Sequence, residues 1–202
     1  MITYTCDLSP AQEEVDALRS FLNEGGKWFG LHGTNALIEF VGEMQIVDGL
    51  EIPGKTDTPN KNPELMELLG SRFVAHPPNM SIKVKVNDKS HPITKDLNDF
   101  EIFDEPYYCE FSDGIKVLLE SRYTDDADAY VHSSWKEDIP RPQMYLHKVG
   151  KGGVLYLMLG HCRGKYDMRP FMDECPVDRG GWESEAFYEL LRRGIKWGIN
   201  KI

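Results

Sequence analysis

Four short apolar runs in this chain each end at an imidazole or a carboxylate. Leu31 leads to His32 within KWFGLHGTNA (27–36), Phe103 leads to Asp104-Glu105, Leu159 leads through Gly160 to His161, and Phe73-Val74-Ala75 leads to His76. In open α/β sheets ligands sit beyond the carboxyl ends of strands, and a sharp strand-to-helix turn exposes a reactive side chain there. Two or three imidazoles with a carboxylate support two chemistries. They hold a divalent metal such as zinc, with His32, His76 and His161 as ligands, or they act as general acid and base, with His32, Glu105 and His161 as the catalytic set. No compact code such as H-E-x-x-H is present, so the fold itself must bring these groups together. Asn35, Asp104, Tyr107, Tyr108 and Trp135 are the candidate substrate contacts, since a phenol donates a hydrogen bond and an indole stacks on a sugar ring.

The elements that must position these groups follow from periodicity and punctuation. Residues 2–6 end a strand, and Ser9-Pro10-Ala11-Gln12 combines an N-cap, a proline at the first helical position and a capping-box partner. Val15, Leu18, Phe21 and Leu22 share one face until Gly25-Gly26 stops the helix, and Trp28 to Leu31 form the next strand. Residues 45–63, rich in Asp, Gly, Pro, Lys and Asn, read as one long loop with the character of a lid. A short helix from Glu64 to Leu69 precedes strands at 72–74, 82–86, 101–103, 117–121, 143–148 and 154–159. The last of these, VLYLML, is apolar on both faces, as a strand covered on each side requires. A closing helix, Glu183 to Asn200, buries Phe187, Leu190, Leu191 and Ile195, with Gly194 and Gly198 permitting close approach to the sheet. The expectation is α/β: a mainly parallel sheet with helices on both faces, as one domain over 1–202.

Composition narrows the function classes. The 202 residues are 41% hydrophobic, enough for a sizeable core. With 33 acidic against 23 basic residues the net charge is -10, and no Lys/Arg cluster offsets it, so nucleic acid is excluded as a partner. The amino terminus, MITYTCDLSP, lacks the basic start and apolar stretch of a secretory signal, and no run approaches the roughly 20 apolar residues that span a bilayer. A cytoplasmic protein without membrane partners is expected. The four cysteines (Cys6, Cys109, Cys162, Cys175) form no C-x-x-C pair, which argues against a zinc ribbon or a redox motif.

The segments LSPAQEEVDALRSFLNEGGKWFGLHGTN (8–35), GSRFVAHP (70–77), HPIT (91–94), FDEPYY (103–108), GKGGVLYLMLGH (150–161) and FYELLRRGIKWGIN (187–200) together resemble the ThuA-like, or trehalose-utilisation, family. That resemblance implies a flavodoxin-like fold of the class I glutamine amidotransferase type and a role in carbohydrate catabolism. Family members normally start with a further strand and helix, and this chain reads as beginning after that unit. The resulting sheet edge calls for cover, for which homo-oligomerisation is the natural solution. An amidotransferase needs a cysteine at the elbow, and here the elbow reads His32-Gly33-Thr34, so glutamine hydrolysis is disfavoured.

Two functions remain. The first is an enzyme acting on a small carbohydrate, an isomerase or a lyase/hydrolase of keto-sugars or glycosides, with a divalent metal as its cofactor. The second is a non-catalytic sugar-binding or assembly module that keeps the scaffold without its nucleophile. A glutaminase using Cys162 is a weaker third.

Overall fold

The computed structural model describes residues 1–47, 50–52, 54–169 and 172–202. The chain opens with β1 (Ile2–Tyr4), α1 (Gln12–Asn23) and β2 (Lys27–Leu31). It continues through four short strands, β3 (Glu39–Val41), β4 (Gln45–Val47), β5 (Leu50–Ile52) and β6 (Lys55–Asp57), to α2 (Pro63–Leu69). Then follow β7 (Ser71–Ala75), β8 (Met80–Val86), β9 (Phe100–Asp104), β10 (Tyr108–Phe111), β11 (Lys116–Ser121), β12 (Arg141–Val149), β13 (Gly152–Leu157) and α3 (Glu185–Gly198).

One seven-stranded sheet dominates, ordered β1-β2-β13-β12-β11-β8-β9. Only β1–β2 and β2–β13 pair in parallel, and the remaining neighbours are antiparallel. The expectation of a mainly parallel sheet is therefore corrected to a mixed, mostly antiparallel one. The cause is local. Val149 pairs with Gly152, so β12 and β13 are joined by Gly150-Lys151 alone, with Gly150 at φ 54. A two-residue turn with a left-handed first position can only build a hairpin, which forces the antiparallel direction.

β13 is the central buried strand, as its composition requires: Val154, Leu155, Tyr156 and Leu157 are all 0% exposed. Side chains alternate across β2. Phe29 meets α3 at Gly194, where a Cβ would collide with the phenyl ring. Gly30 lies instead under the ring of Tyr156. Tyr156 stacks on its cross-strand partner Tyr145, centroids 5.5 Å apart, and the Tyr145 hydroxyl donates to the Leu69 carbonyl of α2. The buried face of α3 is Phe187, Leu190 and Gly194, with Leu191 half-buried, while Ile195 is exposed and Gly198 faces open space. The expected stripe is thus displaced away from Ile195.

Two further expectations are revised. α1 begins at Gln12 with Ala11 as its cap, and the Glu14 carboxylate, not Gln12, accepts the Ala11 N–H at 2.8 Å. Within 45–63, the described residues carry strand structure: β4 pairs with β5, and β6 pairs with β3, which lies just ahead of the segment, both antiparallel. These strands are three residues each and are separated in the sequence by Gly, Asp and Pro, which is why the segment reads as a loop. β10, absent from the sequence reading, pairs with β7 as a separate two-stranded sheet.

Candidate functional site

β2 and β13 run parallel with Leu31 beside Leu157, so whatever follows the two strands emerges on one rim. After β2 the chain turns through a single 3-10 turn, residues 32–35, in which His32 takes φ 42. A left-handed histidine is strained and persists only where its surroundings hold it. Tyr156 does the holding. Its hydroxyl donates to the His32 carbonyl at 2.6 Å and accepts the Asn35 N–H at 2.8 Å, while the Thr34 hydroxyl donates to the Leu31 carbonyl at 2.8 Å.

After β13 the chain runs through Met158 to Gly160, which takes φ 117, a conformation open to glycine. Asp104, at the end of β9, fixes this stretch. One carboxylate oxygen accepts the Gly160 N–H at 2.7 Å, and the other accepts those of His161 at 2.9 Å and Glu105 at 2.8 Å. β9 is the last strand in the sheet order, yet its end reaches the turn after β13, so the sheet curls. Convergence therefore comes from two parallel neighbours plus a curled edge, in place of a row of parallel strands.

Glu105 is the centre of the site. One of its oxygens lies 3.3 Å from His32 Nε2, and the other lies 3.2 Å from His76 Nε2 and 3.3 Å from His161 Nδ1. All four side chains are largely buried, from 7% exposed at His32 to 24% at His76. The Tyr107 hydroxyl is 2.9 Å from His32 Nε2. Carbonyl oxygens only accept, so Met158 O at 2.8 Å from His32 Nδ1 and Pro77 O at 2.8 Å from His76 Nδ1 place a proton on each Nδ1. Both Nε2 atoms then face a carboxylate with a lone pair, unless a second proton or a cation lies between. His161 Nε2 is buried without a hydrogen-bond partner, its nearest carboxylate being Asp178 at 3.7 Å.

The electrostatics follow from this packing. Burial pushes the Glu105 carboxyl up, but the His76 charge and the hydrogen bonds from His161 and His32 outweigh it and hold it well below its usual value. Burial lowers His76. Burial also opposes charge on His161, but the hydrogen bond and charge of Glu105, with Asp178, outweigh it and raise that imidazole. Burial, reinforced by Glu105, raises Tyr107 well above 10.0, so it stays a hydrogen-bond donor.

These groups form the floor of a 650 Å³ cavity whose walls include Tyr4, Phe40, Tyr130, Arg163 and Arg169. A slightly larger groove of 720 Å³ lies between β9 and residues 177–184, but no imidazole lines it.

Of the sequence candidates, the structure brings His32, His76, Glu105, Tyr107 and His161 to this cavity. A common set of ligand atoms within 4.8 Å of one another comes from His32, Glu105 and His161, with His76 outside that set. Asp104 is 0% exposed and spends its oxygens on backbone N–H groups. Asn35 is also fully buried, its amide donating to Ser71. Tyr108 and Trp135 stack on each other, centroids 4.5 Å apart, beside the Arg141 guanidinium, and neither lines the cavity. Tyr4, Tyr130, Arg163 and Arg169 had no signal in the sequence, because each lies in a turn, a strand end or a loop without periodicity.

Zinc ligands about 2.1 Å from the ion in tetrahedral array stand about 3.4 Å apart. Glu105 meets His32 with one oxygen and His161 with the other, each at 3.3 Å. One ligand atom from each of the three residues lies within 4.8 Å of the others, so small side-chain shifts bring them to that spacing. The donor set, two imidazoles and a carboxylate with an orphaned imidazole nitrogen, suits such an ion.

No curated protein matches this sequence. A structure of a ThuA-like protein from Bacteroides uniformis matches with 20% identity over 95% of this chain and 66% of its own, TM-score 0.59. One from Parabacteroides merdae matches with 18% identity over 98% and 68%, TM-score 0.60. A cold-adapted β-galactosidase from Rahnella sp. R3 is similar over 94% of this chain but 21% of its own, with 12% identity and TM-score 0.50. The chain thus spans about two thirds of the ThuA-like structures, and at these identities the likeness shows the fold. The family model described as ThuA, trehalose utilisation, matches residues 52–175, and this chain belongs to that family.

Proposed function

We propose that this protein is a carbohydrate-processing enzyme with a divalent cation, zinc the best fit, held by His32, Glu105 and His161. The observation that carries the reading is the meeting of three imidazoles on both oxygens of one buried carboxylate at a cavity floor. The substrate class is a keto-sugar or a glycoside bearing a ring ketone. The C–H beside that ketone gives its proton to a base, and the electrons either shift to isomerise the sugar or expel the glycosidic substituent from the next carbon, which leaves as the alcohol after protonation. A bound cation supplies positive charge that polarises a carbonyl or hydroxyl oxygen of the sugar.

The chain's own groups do the rest. His76, whose hold on a proton is weakened by burial and whose ring is oriented by the Pro77 carbonyl, lines the cavity with Nε2 3.2 Å from Glu105 and is the proton acceptor of this reading. Tyr107, held protonated, donates to His32 Nε2 and orients that ring as long as no cation takes the same nitrogen. Tyr4 and Tyr130 offer aromatic faces to a sugar ring. The buried floor restricts water at the reacting carbon.

The test is metal analysis of protein purified without chelator, for the natural chain and for His32→Ala, His161→Ala and Glu105→Gln, followed by turnover on keto-disaccharides and glycosides. One equivalent of metal in the natural chain, lost in all three variants together with turnover, is expected. Metal content and sugar affinity unchanged by the variants, with no turnover, would favour a sugar-binding module instead.

A further inference from the structure

The cavity that holds the imidazole and carboxylate floor has a rim of opposite character. Arg163, half-buried, and Arg169, exposed, line it from the segment that follows His161. Among the described residues neither guanidinium lies within 4.0 Å of a carboxylate, although Arg19, Arg72, Arg122, Arg192 and Arg193 each have such a partner. Each spends one N–H on the backbone: Arg163 Nε donates to the Pro176 carbonyl at 3.4 Å, and Arg169 Nε to the Asp173 carbonyl at 3.1 Å. These bonds orient the side chains and leave the terminal amino groups of both forks unassigned. Arg169 is further fixed over the Tyr166 ring, 4.5 Å from its centroid. The strand-like bridge between Arg163 and Asp178, with N–H to carbonyl bonds in both directions, anchors the backbone beneath the first.

Asp167 is the carboxylate on the same rim, and it accepts the Gly164 N–H at 2.6 Å instead of either guanidinium. In a chain of net charge -10, two oriented and unneutralised guanidiniums on one cavity are a specific feature. Their planar forks match the oxygens of a phosphate or carboxylate, and two like charges lining one cavity are neutralised by an anion between them.

We propose that Arg163 and Arg169 form an anion seat, so that the ligand of this cavity is a sugar bearing a phosphate ester or a carboxylate. The sugar part rests on the carbohydrate reading above, and the anion seat rests on the two arginines alone. With the anion held at the rim, the remainder of the molecule extends past Tyr4 and Tyr130 toward Glu105.

The experiment is titration calorimetry of the metal-replete chain with trehalose, trehalose 6-phosphate, glucose, glucuronate and inorganic phosphate, repeated on R163Q/R169Q and on the charge-keeping R163K/R169K. Expected is binding of inorganic phosphate, and a preference of at least about tenfold for a charged sugar over its neutral counterpart. R163Q/R169Q should lose both while keeping its affinity for the neutral sugar, and R163K/R169K should keep most of the preference. Trehalose 6-phosphate against glucuronate tells phosphate from carboxylate. Phosphate binding that survives in R163Q/R169Q, no phosphate binding by the natural chain, or equal affinity for charged and neutral sugars would each overturn the seat. Phosphate binding lost in R163Q/R169Q with no sugar bound would uphold the seat and sink the carbohydrate reading.

Discussion

Asp104→Asn is the substitution from which most can be learned, because one side chain joins the curled edge of the sheet to the turn that carries His161. The carboxylate is fully buried and accepts three backbone N–H groups, from Gly160, His161 and Glu105. Asparagine retains one acceptor oxygen and puts an NH₂ where the other carboxylate oxygen stood. If its oxygen keeps His161 and Glu105, the amide donor is left facing the Gly160 N–H across 2.7 Å. An orphaned buried donor costs about 1–3 kcal/mol, and hydrogen bonds to a charged group are worth about 1.5–3 kcal/mol. The expected loss is therefore about 2–4 kcal/mol, read as a fall of about 5–15 °C in Tm for a domain of this size. Urea unfolding with and without saturating zinc is the assay, with Asp16→Asn on the exposed face of α1 as a control expected within about 0.5 kcal/mol of the natural chain. The same change should weaken metal binding about 10- to 100-fold, because it unseats a supporting contact one step behind a ligand. An Asp104→Asn protein as stable as the control would refute the assignment of Asp104 as the clamp.

Four further outcomes follow from the same contacts. Tyr156→Phe should destabilise by about 1–3 kcal/mol and lower metal affinity, because the His32 turn loses its acceptor and donor together; urea unfolding and zinc titration measure both. Gly194→Ala should cost about 1–3 kcal/mol through collision with Phe29, whereas Gly198→Ala, with open space around it, should be neutral or stabilising by up to about 1 kcal/mol in thermal melts. Metal content measured against pH should fall with acid, starting above the ordinary imidazole value of about 6.5, because protons compete for the raised His161. In chelator-treated protein the sign reverses: a pKa raised by folding gives stability present in full below about 6.5 and lost as pH rises through the folded value, which urea midpoints at a series of pH values will read.

The sequence located the groups that line the cavity better than it located the strand directions. His32, His76, Glu105 and His161 were readable because each ends an apolar run, and a strand end is where a chain turns from core to rim. The strand read at 154–159 was readable for the same reason and lies two residues earlier, as β13 at Gly152–Leu157. Strand direction was not, because alternation is identical in parallel and antiparallel strands, and the one local cue, Gly150-Lys151 between two apolar runs, fixes a hairpin. The ribbons β3–β6 were hidden because each strand is only three residues long, too short for an alternation to show between the Asp, Gly, Pro and Lys residues around them. Asp104 and Glu105 show the limit of reading neighbours together: they are adjacent, yet one oxygen pair serves the backbone of a distant turn and the other faces three imidazoles. Asn35, Tyr108 and Trp135 have residue types that suit sugar contact, but partners distant in sequence, Ser71, Asp125 and one another, occupy them.

The decisive measurement is anomalous X-ray diffraction at the zinc edge, on crystals of protein purified without chelator and equilibrated with zinc. The expected result is one peak about 2.0–2.2 Å from a nitrogen of His32, a nitrogen of His161 and an oxygen of Glu105. A cavity floor with no peak, or a peak elsewhere on the molecule, would contradict the metal centre and the chemistry built on it.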